Sequence, residues 1–178
     1  WIAAGSADLP RLRDEIGPVR LVMMGSSFHW MNQDATLRDL YQMVEPGGGI
    51  VISSSTFGLW SDPTPWQETA RQVIQRWLGE RRRAGSGTYS VTHDRFETIL
   101  ARSPFVQLET YHLPRERTLD IEEIIGLLYS TSFCSPTLLG ERREAFERDL
   151  RDGLRALDPS GHFQEDVSIG AYIARKEK

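Results

Sequence analysis

Val19 to Met24 is an apolar run broken only by Arg20, and Ile50 to Ile52 opens a second such run. Apolar runs without alternation predict strands covered on both faces. Between them Leu37, Leu40, Tyr41 and Val44 recur at i, i+3, i+4 and i+7, one stripe of an amphipathic helix. Asp34 stands where an N-cap or first-turn acid belongs, and Pro46 with Gly47-Gly48-Gly49 stops the helix. Strand, crossover helix and strand within about 35 residues predict a right-handed βαβ unit, whose ligands sit at the carboxyl ends of its strands. Here that end reads Gly25-Ser26-Ser27-Phe28-His29-Trp30.

The flanking pattern is shorter in range. Trp1 to Ala4 reads as a short strand and Pro10 to Ile16 as a polar helix ended by Gly17-Pro18. Thr64-Pro65-Trp66-Gln67 gives an N-cap, a proline at N1 and a glutamine at N3, opening a helix with Trp66, Ala70, Val73, Ile74, Trp77 and Leu78 inward. Thr92 caps a short helix that Ser103-Pro104 ends, and Phe105 to Leu113 reads as a strand. Asp120 to Glu123 is a capping box for a helix that Pro136 interrupts. A further amphipathic helix runs from about Gly140 to Leu157. After a turn at Asp158 to Gly161, Val167 to Ala174 alternates, with Val167, Ile169, Ala171 and Ile173 on one face and Ser168, Gly170 and Tyr172 on the other.

Composition narrows the class. At 178 residues the chain is long enough for one sizeable core, so one domain over 1–178 is expected. A net charge of −4 argues against nucleic acid as a partner, because phosphate binding relies on lysine and arginine. Arg81-Arg82-Arg83 is explained as a solvated helix end. One cysteine, Cys134, leaves no intramolecular disulfide and points to a reducing, cytoplasmic setting. No apolar run reaches the ~20 residues of a membrane helix, and no signal peptide is visible. The histidines are scattered without metal spacing, so no metal site is expected.

Three motifs in order, LVMMGSSFHW, NQDATLRDLYQMV and EPGGGIVIS, resemble the second half of a class I S-adenosylmethionine-dependent methyltransferase domain of the small-molecule, type 11-like kind. Upstream, Gly5-Ser6-Ala7-Asp8-Leu9-Pro10 is similar to that family's loop after its third strand. The resemblance implies an α/β, partial Rossmann-like fold. In family numbering its strands are ordered 4-5-7-6 with strand seven antiparallel, and a helical insertion covers about 118–158. The family's Gly-x-Gly-x-Gly loop and the acid after its second strand have no counterpart here, so this stretch by itself is expected to bind the cofactor weakly. The apolar edge of Val19–Met24 is then open to pairing with a second copy, a possible homodimer.

The resemblance also implies roles. Ser6, Ala7, Asp8 and Leu9 would contact the adenine of S-adenosylmethionine, with Gly25, Ser26 and Ser27 against its methionine part. His29 and Trp30 would line the methyl-transfer cleft, Trp30 as a wall and His29 as a polar contact or general base. A packed or capping histidine is the alternative reading. Phe57, Trp60, Tyr129 and Phe133 would face a small-molecule acceptor, or equally belong to the core. Transfer from a sulfonium needs no protein nucleophile, so alignment and exclusion of water carry the rate and no catalytic triad is expected. The rival from another class is a non-catalytic module keeping the fold for association. A nicotinamide-binding half-domain shares the βαβ logic but lacks its glycine fingerprint.

Overall fold

A computed structural model describes residues 1–55, 58–60, 62–81, 83–84, 87–88 and 94–178. In chain order the elements are α1 (Leu9–Ile16), β1 (Val19–Gly25), α2 (Gln33–Met43), β2 (Val44–Ser55), α3 (Pro65–Leu78), the two-residue strands β3 (Arg83–Ala84) and β4 (Gly87–Thr88), α4 (Phe96–Ala101), β5 (Val106–Asp120), α5 (Ile121–Tyr129), α6 (Pro136–Leu139), α7 (Arg143–Leu157) and β6 (His162–Arg175). They form two compact units, the first Trp1–Thr56, Val91–Pro114 and Ser168–Lys178, the second Phe57–Ser90 and Arg115–Val167. Each has its own apolar cluster. Among the described residues no helix is long and apolar enough to cross a membrane.

The first unit is built on the predicted βαβ pair. β1 and β2 run parallel, with Met23 opposite Val51 and Met24 opposite Ile52, and β6 joins β2 antiparallel in a sheet ordered β1-β2-β6-β5. α2 is capped at its start by Asn32, whose Oδ1 accepts from the Ala35 N–H at 3.2 Å, with Asp34 in the first turn. Its end is held from elsewhere in the chain: Lys176 Nζ donates to the Tyr41 and Val44 carbonyls at 2.7 and 2.9 Å, satisfying acceptors a helix terminus leaves open. Pro46 disfavours helical geometry at Glu45, and the backbone is already extended at Val44, so strand two starts six residues before Ile50. A side chain at Gly48 would put its Cβ 2.5 Å from the Arg20 carbonyl oxygen. The glycine turn is what lets β2 close on β1.

One face of this sheet is covered. Met24, Ile50, Ile52 and Ala174 are buried with Leu37 and Leu40 of α2 and Ile99 and Leu100 of α4. Each fully buried aliphatic side chain contributes about 1.5–3 kcal/mol. The opposite face carries Leu21 and Met23, 54% and 70% exposed, with Met23, Val51 and Ile173 in one cross-strand row. The alternation of β6 therefore resolves against its apolar row: Ala174 is buried and Tyr172 packs edge-to-face on Phe96 at 5.4 Å, while Ile169 is exposed.

The second unit is helical. α3 packs its predicted stripe, Trp66, Ala70, Val73 and Ile74, into a cluster with Ile124, Leu128, Phe146, Leu150 and Leu154 of α5 and α7. The Asp120–Glu123 capping box is present, with 2.8 and 2.9 Å bonds in both directions. At α3 only half of the predicted box forms. Gln67 Oε1 accepts from the Thr64 N–H at 2.9 Å, but the buried Thr64 hydroxyl has no partner among the described residues.

Other boundaries differ from the pattern. Trp1–Ala4 forms no strand: these residues are exposed and pair with no neighbour in the sheet. β5 continues to Asp120 and β6 begins at His162, both longer than predicted. α7 starts at Arg143, after a 3-10 turn at Gly140–Arg142, and Leu157 at its end is exposed. The N-cap of α4 is Arg95, while Thr92 lies outside the described residues, as do Phe57 and His93.

Candidate functional site

After Gly25, the last residue of β1, the backbone turns sharply. The Ser26 N–H still donates to the Ser53 carbonyl at 2.8 Å, extending the ladder one step, and Ser26 itself sits at φ 46°, a left-handed conformation for a non-glycine residue. Such backbone costs of order 1 kcal/mol and concentrates at ligand sites. Ser27 then caps a 3-10 turn, Phe28–Trp30, closed by the Trp30 N–H to the Ser27 carbonyl at 3.0 Å. The turn sorts its three side chains. Phe28 is buried, edge-to-face on Phe96 at 5.5 Å, while Trp30 is 45% exposed with the His29 ring at 4.8 Å from its own. Ser26→Gly is expected to raise stability by about 0.5–1 kcal/mol, because glycine takes the left-handed turn without strain; thermal melting measures it.

A cavity of about 250 Å³ runs along β1, lined by Gly5 and Ser6 of the first loop, Leu9, Leu12 and Ile16 of α1, Val22 and Met24 of β1, and Met31, Thr36 and Leu40 before and on α2; none of Gly25 to Trp30 lines it. No charged side chain lines it. Uncharged, apolar walls with a few hydroxyls suit a flat aromatic ring rather than a phosphate or carboxylate. At the same helix start Gln33 is buried, and its Nε2 has no partner among the described residues, a donor left over beside the turn.

Of the adenine candidates, the structure thus brings Ser6 and Leu9 together with β1. Ala7 and Asp8 are not among the residues lining the cavity. Asp8 has a local task, its Oδ2 accepting from the Gly5 N–H at 2.9 Å. Gly25 and Ser26 are exposed at the strand end, and Ser27 is half-buried. Met24, Met31 and Thr36 also line the cavity, although the motifs gave them no such role; Met24 alternates with exposed Met23, and Thr36 lies one turn before Leu40 on α2.

The acceptor candidates lie in the second unit. Trp60 closes a 3-10 turn and meets Phe133 edge-to-face at 5.3 Å, but Phe133 is buried and joins the core. The Tyr129 hydroxyl donates to Glu147 Oε1 at 2.8 Å, and burial pushes its pKa up, so it stays protonated. Ser130 and Thr131 turn their hydroxyls back to the Leu127 and Leu128 carbonyls, at 2.6 Å each. Burial pushes the Cys134 thiol up to about 12, so it is neutral at pH 7–8 and reacts little as a thiolate. Cys134 is expected to react with a disulfide reagent only as the protein unfolds, and stopped-flow labelling against denaturant checks this. Among the described residues no three histidine, cysteine or acidic side chains group as metal ligands.

No protein-family model matches the chain. It is 28% identical over 130 residues to an uncharacterised methyltransferase-like protein of Schizosaccharomyces pombe, covering 73% of this chain and 46% of that protein. A second protein of that yeast, an uncharacterised methyltransferase, is 29% identical over 75 residues, covering 42% of this chain and 28% of its own length. The chain thus spans less than half the length of either relative. Among solved structures it overlaps a protein described as a type II methyltransferase from Anaeromyxobacter dehalogenans, with a TM-score of 0.46 at 19% identity, over 90% of this chain and 65% of that one. It overlaps Haemonchus contortus phosphoethanolamine N-methyltransferase 2, solved with phosphomonomethylethanolamine and S-adenosylhomocysteine, with a TM-score of 0.40 at 14% identity, over 89% and 33%. The resemblance read from the motifs is thus to methyltransferases also in the relatives, and the chain is α/β with a mixed four-stranded sheet and helices.

Proposed function

We propose that the protein transfers a methyl group from S-adenosylmethionine to a small organic molecule. The observation that carries the reading is the strained turn at Ser26 at the carboxyl end of β1, the place where a βαβ unit binds its ligand, with Val22 and Met24 of the same strand lining an uncharged cavity. Ser6, Leu9, Met24 and Met31 would enclose the adenine, and Gly25 to Ser27 would meet the methionine part. When bound, the cofactor supplies an electrophilic methyl group on sulfur. Trp30 walls the cleft and excludes water, and His29 beside it orients a polar acceptor or takes its proton. The acceptor class rests on Trp30 and His29, an aromatic face beside a polar ring, which favour a small organic acid or alcohol. Mass-spectrometric screening of such acceptors with labelled cofactor tests this: methylated product that disappears in Trp30→Ala supports it, and no product from any acceptor despite measured cofactor binding counts against it.

The exposed Leu21 and Met23 beside the free edge of β1 favour a second reading, in which the fold serves association, a second copy pairing along that edge. Light scattering with and without Met23→Lys separates the two. Mass that falls to that of one chain in the variant supports pairing through this edge.

A further inference from the structure

Gln33 is 6% exposed, and its Nε2 finds no acceptor among the described residues. A buried amide donor without a partner destabilises the fold that holds it, so it points to an acceptor that arrives with a ligand. Its place on α2 shows where that ligand would lie. Gln33, Thr36, Leu37 and Leu40 are all buried, at i, i+3, i+4 and i+7, so the inward stripe of α2 begins at Gln33. Thr36 and Leu40 of that stripe line the cavity along β1, and Met31 lines it two residues before Gln33. A crossover helix runs back along its strands, so this first turn stands at the carboxyl end of β1, the ligand side of the sheet.

The cavity is poor in polar side chains. Among the residues lining it Ser6 and Thr36 carry hydroxyls, while Asp8, the acid expected at the adenine, does not line it and accepts from the Gly5 N–H at 2.9 Å. An adenine ring entering there brings an acceptor nitrogen, N1, beside the donor of its 6-amino group. Gln33 offers an unused donor, and Thr36 a hydroxyl that can accept. We propose that Gln33 and Thr36 read this edge of the cofactor's adenine. The Gln33 side chain turns its Nε2 toward the wall that Thr36 forms and donates to N1, and Thr36 Oγ1 accepts from the 6-amino group. The proposal rests on the methyl-transfer reading for the presence of adenine, whereas the unpartnered amide is independent of it.

The test uses the full-length protein with Gln33→Met and Thr36→Val, which keep the size and remove the polar atoms. Three probes are titrated by calorimetry: S-adenosylhomocysteine, its analogue with C–H in place of N1, and its analogue lacking the 6-amino group. The parent is expected to bind each analogue at least tenfold more weakly than S-adenosylhomocysteine. Gln33→Met is expected to weaken S-adenosylhomocysteine at least tenfold and to abolish the discrimination against the N1 analogue alone. Thr36→Val is expected to abolish the discrimination against the analogue without the amino group alone. Without ligand, Gln33→Met is expected to melt about 2–4 °C above the parent, because an unpaired donor is gone. If both variants discriminate as the parent does, or Gln33→Met melts below the parent, the proposal is overturned while binding of S-adenosylhomocysteine still supports the methyl-transfer reading. A parent that binds none of the three probes overturns that reading, and the proposal with it.

Discussion

Replacing Trp30 by alanine is expected to lower turnover at least tenfold, about 1.4 kcal/mol of transition-state stabilisation, and to cost less than about 1 kcal/mol of folding stability. The two effects separate because Trp30 is 45% exposed and belongs to neither buried cluster. Two residues earlier the balance reverses. Phe28 is 1% exposed and edge-to-face with Phe96, so Phe28→Ala is expected to cost about 3–5 kcal/mol. Denaturant unfolding of both variants, with turnover per folded molecule, checks the pair. A Trp30→Ala protein that is several kcal/mol weaker yet fully active per folded molecule would make the turn a core element and remove the cleft wall.

The other large effect concerns the second unit. Arg117→Ala is expected to cost about 3 kcal/mol, the low end for breaking a buried ion pair, because Glu165 would remain buried with no cation while solvent already reaches 36% of the Arg117 side chain. Replacing both residues, Arg117→Met with Glu165→Leu, strands no charge but leaves the buried Gln67 Nε2 without its acceptor, so the pair is expected to cost about 1–2 kcal/mol, less than Arg117→Ala alone. The double-mutant cycle measured by urea unfolding checks this. An Arg117→Ala variant as stable as the parent would show that the pair is solvated in solution.

The βαβ unit was legible because its signals are local: the 3.6-residue stripe of α2, and Pro46 with the glycines that end it. The closing cation on α2 was not, since Lys176 lies 135 residues from Tyr41. Which row of β6 is covered also escaped the pattern. Alternation marks two faces but does not say which one helices cover, and the Tyr172 ring found Phe96 while Ile169 stayed exposed. At the candidate site the small residues Gly25 to Ser27 marked where the strand ends and the backbone turns, and Ser6 and Leu9 line the cavity along β1. Asp8, expected at the adenine, accepts from the Gly5 N–H within its own loop, a contact three residues apart that the motif did not show. The Gln67–Glu165 contact spans 98 residues and the Arg117–Glu165 contact 48, separations at which no spacing rule operates.

The chain carries its own probe of the central claim, that the cavity beside β1 receives the cofactor. Of its four methionines, Met24 and Met31 line that cavity, Met23 is 70% exposed on the opposite face of β1, and Met43 is buried at the end of α2. In a protein labelled with carbon-13 at the methionine methyls, titration with S-adenosylhomocysteine is predicted to shift the Met24 and Met31 signals and leave Met23 and Met43 in place. Movement of Met23 or Met43 with Met24 and Met31 unchanged, or four unmoved signals at millimolar ligand, would contradict it.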